Sequence, residues 1–289
     1  MKDFPIPVRT IGPGSQDAEE NLDYMPMPQG METFRAPILP EPEEVVELVQ
    51  GCAALREALA QLGQVLQDGA NRSVSLNGLP PADLKLINTV LGEGEVSALV
   101  KATSDDAMEL RVQESVFAGV WRVVQTAAGR VVSDTIELGA VPQALRDTAR
   151  QDVQAAMPRW QGSLPPNVQN APLVLSEIES QFKTWKPGQS AYVVNLTLLP
   201  MSMEDIGFMD HHLGTGRVLI LSRGYGNCRI TNTCRPHTWR VVYYNSQDTV
   251  ILNTVEVTEL PEVALAARED LEDSHERLKE VLEWVESVG

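Results

Sequence analysis

Cysteine is scarce and odd in number, with only Cys52, Cys228 and Cys234 in 289 residues. That excludes a stapled disulfide framework and suits a reducing compartment. Long apolar runs are missing too, since none approaches the ~18 residues of a membrane span. The opening Met1-Lys2-Asp3-Phe4-Pro5 has no continuous apolar stretch, so export behind a cleaved leader is not expected. Positive charge is short: 23 Lys and Arg stand against 40 Asp and Glu, a net charge of -17. Such a surface repels a phosphate backbone unless its cations are gathered in one place. The sequence also lacks G-x-x-x-x-G-K, G-x-G-x-x-G, G-x-S-x-G and H-E-x-x-H, which removes the nucleotide-cradling, serine-elbow and zincin classes. Gly92-Glu93-Gly94 reads as a helix stop feeding a strand, and Gly224-Tyr225-Gly226 as a tight turn.

What is present is a globular composition, 43% hydrophobic and 22% charged, at a length suited to about two domains with a sizeable core. It is also a chain that repeats itself. Leu91-Gly92-Glu93-Gly94-Glu95-Val96 returns as Leu213-Gly214-Thr215-Gly216-Arg217-Val218, each after a proline-led helical segment. Trp121-Arg122-Val123-Val124 returns as Trp239-Arg240-Val241-Val242, and Val141-Pro142 as Leu260-Pro261. Three anchors in one order and at nearly one spacing imply a duplicated module.

Residues 1–42, rich in proline, glycine and polar groups, are expected to form an extended or disordered arm, in which Met25, Met27 and Met31 could be soft partner contacts. From Glu43 to Asp68, Val45, Val49, Cys52, Leu55, Leu59, Leu62 and Leu66 keep helical spacing, which places Cys52 on a buried stripe. The first copy, over 73–150 within a domain 43–157, is expected to run strand Val74–Leu79, helix from Asp83 to Leu91, strands Glu95–Lys101, Met108–Glu114, Gly119–Gln125 and Arg130–Leu138, then a helix from Pro142 to about Ala156. Four prolines in Pro158–Pro172 suggest a linker. The second copy, 173–289, repeats the order: helix Leu173–Trp185, strand Tyr192–Leu198, helix Met203–Leu213, strands Arg217–Ser222, Cys228–Asn232, Thr238–Asn245 and Thr249–Val257, and a long acidic helix from Pro261. Short turns between successive strands make the pairing antiparallel. The expected class is therefore α+β, two tandem copies of a small antiparallel sheet with helices on one face. Val218-Leu219-Ile220-Leu221 is apolar on both faces and should be covered on both.

Two groups of residues carry chemistry. Cys228, Cys234 and His237 fall within ten residues, with His211-His212 nearby; they are candidate metal ligands only in a speculative sense, because structural zinc sites prefer closer cysteine pairs and the first copy has Val116 and Gly119 at the matching places. Between His211 and Gln247 there is no Asp or Glu, yet Arg217, Arg223, Arg229, Arg235 and Arg240 all occur. This island either pairs with the acidic final helix, the favoured reading, or offers a partner surface; in the latter case Arg223, Tyr225, Arg229, Arg235 and Trp239 are the candidate contacts, since Arg, Tyr and Trp are enriched at interfaces.

The two Leu-Gly-x-Gly-x-Val phrases, Val120-Trp121-Arg122-Val123, Gly224-Tyr225-Gly226 and the stretch from Pro261-Glu262-Val263 through Glu269-Asp270-Leu271, Asp273-Ser274 and Arg277-Leu278 resemble the hydrogenase expression/formation proteins called HupH, HyaF or HoxQ. The resemblance runs from about Gly12 to the C-terminus and is strongest from Asp83 onward. It implies a cytoplasmic, non-catalytic accessory protein for a membrane-bound uptake NiFe hydrogenase. In that role it would act as a chaperone for the small, iron–sulfur subunit precursor before twin-arginine export. A thioredoxin-like HyaE/HoxO-type companion is a further implied partner. It implies no cofactor and transfers no role to Cys228, Cys234 or His237; a metal or cluster carrier for the same hydrogenase is the alternative those residues leave open.

Overall fold

The computed structural model describes residues 45, 47–104, 108–154, 156–224 and 226–285. The expected arm with its three methionines, and Tyr225, lie outside the described residues. In chain order the elements are α1 (Val49–Asp68), β1 (Arg72–Ser75), α2 (Pro81–Leu91), β2 (Val96–Val100), β3 (Glu109–Glu114), β4 (Val120–Ala127), β5 (Arg130–Leu138) and α3 (Gln143–Gln151). There follow α4 (Ala171–Thr184), β6 (Tyr192–Asn195), α5 (Met203–Leu213), β7 (Val218–Ser222), β8 (Asn227–Asn232), β9 (Thr238–Tyr244), β10 (Val250–Val257) and α6 (Arg268–Val285). The class is α+β, and the order helix, strand, helix, four strands, helix occurs twice.

Two compact units result, and neither is contiguous in sequence. Of the described residues, the first unit holds those up to Thr148, Val218–Gly224 and those from Glu262 onward; the second holds Ala149–Arg217 and the stretch ending at Pro261. The proline-rich 158–172 stretch, read as a linker, lies inside the second unit, where Val168 is buried and Trp160 packs on the core. Its composition signals irregular backbone, which here is packed backbone.

In the first unit the strands run β1-β5-β4-β3-β2-β7, every neighbour antiparallel. Period-two alternation sends Val120, Ile136, Leu138 and Val74 to one face, where they meet α1, α2 and α6. Leu55, Ala58 and Leu62 of α1 are wholly buried, as the helical spacing predicts, and Gly69 ends the helix in the left-handed region (φ 72°) with its N–H on the Val65 carbonyl. Leu278 and Leu282 of α6 join this core; burying each contributes roughly 2–3 kcal/mol. That helix begins at Arg268 rather than Pro261, because Glu262–Ala264 form a 3-10 turn and the Ala266 N–H is given to the Ala140 carbonyl at 2.9 Å. Val218, Leu219 and Ile220 in β7 are all buried, so both faces of that strand are covered as its composition requires.

In the second unit the order is β8-β9-β10-β6, again antiparallel. Val194, Val255 and Val257 on one face pack with Phe208, Met209 and Leu213 of α5 and Val174, Leu175 and Ile178 of α4. β6 stops at Asn195 instead of running to Leu198, since the Asn195 side chain accepts from the N–H groups of Thr197 and Leu198 and turns the chain into a 3-10 helix.

Candidate functional site

The repeated glycine phrases sit at one kind of corner, where a helix hands the chain to a strand. After α2, Gly92 takes φ 56°, the Gly94 N–H bonds the Glu114 carbonyl at 2.7 Å, Val116 N–H the Leu91 carbonyl at 2.8 Å, Ser115 N–H the Val120 carbonyl at 2.9 Å, and Gly139 N–H the Gly119 carbonyl at 2.9 Å. After α5, Gly214 takes φ 71°, and the corresponding bonds are Gly216 to Asn232 at 2.8 Å, Cys234 to Leu213 at 3.0 Å, Thr233 to Thr238 at 3.0 Å and Thr258 to His237 at 2.7 Å. Position by position, Glu114 answers to Asn232, Val116 to Cys234, Phe117 to Arg235 and Gly119 to His237. Gly119 and His237 even share a positive φ, 79° and 53°, which costs a histidine some strain; its ring rests on Trp185, centroids 4.8 Å apart.

The second corner is the polar one, and its polar groups are spent on holding backbone. Arg235, 2% exposed, donates from Nε to the Leu213 carbonyl (3.1 Å), from Nη1 to the Ala156 carbonyl (2.7 Å) and from Nη2 to Gln154 Oε1 (3.0 Å). A buried guanidinium needs such partners, and these fasten the segment after α3 to the β8–β9 turn. Asp152 accepts from the Arg217 N–H and Nε, both at 2.7 Å, and from Asn232 Nδ2 at 3.0 Å. Burial alone would raise its pKa, but these three donors outweigh it and hold the carboxyl below its ordinary value.

Burial also pushes the Cys228 thiol up to about 12 and raises that of Cys234, while it lowers the pKa of His237. Both sulfurs are therefore inert thiols at neutral pH. Cys234 packs against Gly214 and Cys228 stands opposite Tyr243 in the β8–β9 ladder. Among the described residues no three His, Cys, Asp or Glu side chains converge on a point that could hold a cation, so Cys228, Cys234 and His237 are not gathered.

Among the described residues, three arginines of the island have partners other than the acidic last helix. Arg217 takes Asp152, Arg235 takes carbonyls, and Arg240 lies 3.8 Å from Asp210; within α6, Arg268 pairs with Glu272 and Arg277 with Asp273, each one turn apart along the helix itself. Partners close in the chain's fold won over charge complementarity read along the sequence. Of the candidate partner contacts, Trp239 is 1% exposed with its Nε1 on the Glu259 carbonyl at 3.2 Å, and Arg235 is buried as described, so neither faces a partner. Arg223 is exposed and Arg229 half-buried. Composition did not reveal that Leu164, Leu173, Leu198, Leu199 and Met203 of the second unit are exposed, as Val193, Val250 and Ile251 of that unit also are; the Leu196–Leu198 run looked like the end of a strand.

At the first corner, Glu114 is 7% exposed. Burial pushes its pKa from 4.5 to about 7, with Glu95 and Asp270 pushing the same way against the Gly119 N–H at 3.3 Å. The folded chain thus binds this proton more tightly than the unfolded one, and stability falls as pH rises from about 4.5 to about 7. Glu114→Gln is expected to flatten that slope and to be more stable than the parent by about 2 kcal/mol at pH 8. Thermal melts from pH 5 to 8 check it; a variant as pH-sensitive as the parent contradicts it.

The C-terminal conserved region of the HupH hydrogenase expression protein matches this chain twice, over residues 48–164 and 168–285. The hydrogenase expression/formation protein HoxQ of Cupriavidus necator is 52% identical over 291 residues, covering 100% of both chains. HupH of Rhodobacter capsulatus, also a hydrogenase expression/formation protein, is 45% identical over 289 residues and 99% of each chain. The hydrogenase-1 operon protein HyaF of Escherichia coli is 32% identical over 279 residues and 95% of each.

Proposed function

The chain belongs to the HupH hydrogenase expression protein family, and from that membership we propose that it is an accessory chaperone in the maturation of a membrane-bound uptake NiFe hydrogenase. It binds the small, iron–sulfur subunit precursor before twin-arginine export, works in the cytoplasm and catalyses no reaction itself. The observation that carries this reading is end-to-end agreement: 52% identity over the whole of both chains with a hydrogenase expression/formation protein. The double match to one conserved region supports a tandem duplication of a sheet-and-helix module. No helix among the described residues is long and apolar enough to cross a membrane. Cys228 and Cys234 are buried and the Arg235 guanidinium is spent on backbone carbonyls, which favours a scaffold that holds a polypeptide over a site of turnover. Among the described residues no set of ligands is gathered for the metal-carrier alternative.

A net charge of -17 speeds encounter with a basic leader more than it tightens the complex. Tagged protein drawn from cells making the hydrogenase is expected to bring down the small-subunit precursor and a HyaE/HoxO-type thioredoxin-like protein. Association should slow as salt is raised. An eluate without precursor would overturn the reading.

A further inference from the structure

We propose that Leu164, Leu173, Leu198, Leu199 and Met203 form a docking surface in the second unit for an apolar segment that carries lysine or arginine. The proposal rests on the reading that this chain holds another polypeptide, and it names where. The five side chains are 44%, 74%, 80%, 38% and 59% exposed. They ride on two segments tied to each other. Ser202 Oγ donates to the Asn167 carbonyl at 2.8 Å, Asn170 Nδ2 to the Pro200 carbonyl at 2.7 Å, and Asn167 Nδ2 to Glu204 Oε1 at 3.2 Å. Asp205 joins the same segments from beneath, accepting from the N–H groups of Gln169, Asn170, Ala171 and Ser202. Val168, Ala171, Val174 and Leu196 of these segments point into the core. The exposed leucines are thus held in place rather than loose, which limits the entropy lost on binding.

Charge selects the occupant. No Lys or Arg occurs from Trp160 through Phe182 or from Pro187 through Gly216, while Glu177 and Glu204 stand on α4 and α5 beside the leucines. A partner segment with cations flanking its apolar residues is complementary to that setting. A second copy of this chain, itself at -17, brings like charge against it.

The test uses the full chain and two synthetic peptides, one with arginines flanking a leucine-rich stretch and one with glutamates in their place. Binding is followed by fluorescence anisotropy. The arginine peptide is expected to bind at least about tenfold more tightly than the glutamate peptide, and Leu198→Ser with Met203→Ser to weaken it about tenfold. Val131→Ser with Val132→Ser, at exposed apolar positions of the first unit, should leave binding unchanged. All four replaced residues are exposed, so melting temperatures should match the parent and exclude misfolding as the cause. Undiminished binding by the Leu198/Met203 variant overturns the surface, equal binding of the two peptides overturns its charge selection, and a parent dimer that this variant dissolves makes a second copy the occupant. Precursor capture separates the two levels. Parent and variant retaining precursor equally sinks the surface and leaves the function standing; a parent that binds the arginine peptide but no precursor sinks the function and leaves the surface.

Discussion

Asp205→Ala is expected to destabilise the second unit by about 4 kcal/mol at neutral pH. One carboxylate caps two helices: Oδ1 accepts from the N–H groups of Gln169 (2.8 Å), Asn170 (3.0 Å) and Ala171 (2.9 Å) at the start of α4, while Oδ2 accepts from the Ser202 N–H (3.1 Å) and Ser202 Oγ in turn accepts from the Asp205 N–H at 2.9 Å. Helix starts leave four N–H groups without intrahelical partners, and hydrogen bonds to a charged group are each worth about 1.5–3 kcal/mol net. Asp205 is 1% exposed, so water cannot replace the lost acceptor. Asp205→Asn should cost about half as much, because its carbonyl oxygen still serves α4 while its amide confronts the Ser202 N–H with a second donor. Burial raises this pKa, but the four backbone donors outweigh it and leave it below 3.8. The stabilisation is therefore complete above the unfolded value of about 3.8 and lost as pH falls through the lower folded value. Acid melts of Asp205→Ala should lack that component; a loss below about 1 kcal/mol would show that the two caps are dispensable. In the first unit Asp83 of α2 reaches one neighbouring helix in a similar way, its Oδ1 accepting from the Gly51 N–H in α1 at 2.6 Å.

Gly94→Ala is expected to cost the first unit more than about 3 kcal/mol, enough to leave much of the chain unfolded at 37 °C. A Cβ at Gly94 would overlap the Ser115 carbonyl oxygen, and would lie 2.9 Å from its carbon and 3.1 Å from the Glu114 oxygen. All three are backbone atoms of β3 and the turn after it, which cannot step aside without breaking the Gly94–Glu114 bond. Gly69→Ala is the control. Its φ of 72° lies in the left-handed region, but nothing stands within 4 Å of the added carbon, so only the conformational cost of about 1 kcal/mol remains. Denaturant midpoints of the two variants should differ clearly; similar midpoints would mean that the close approach at Gly94 is relaxed in solution.

Much of this frame was legible in the sequence because its causes are local. The stripe Leu55, Leu62 and Leu66 marked α1, Pro81 and Gly92 bracketed α2, and the doubled Leu-Gly-x-Gly phrase located both corners before any contact was known. The misreadings share a different cause. Leu196–Leu198 left the strand because Asn195 offered the backbone another partner, and the final helix started late because Ala266 bonds residue 140. The arginine island found Asp152 and Asp210, partners that come from elsewhere in the chain. Asp205 went unnoticed as a double cap because three of its four donors lie 34 to 36 residues away. The exposed leucines escaped notice because a composition cannot say which side of a short turn faces water.

The central claim, that this chain is built to hold the immature small subunit, is tested most directly by sedimentation of the purified protein mixed with purified hydrogenase small-subunit precursor at low and high salt. The account predicts a single faster-moving complex that forms more slowly as salt is raised. Two species that sediment independently at every concentration and salt would contradict it.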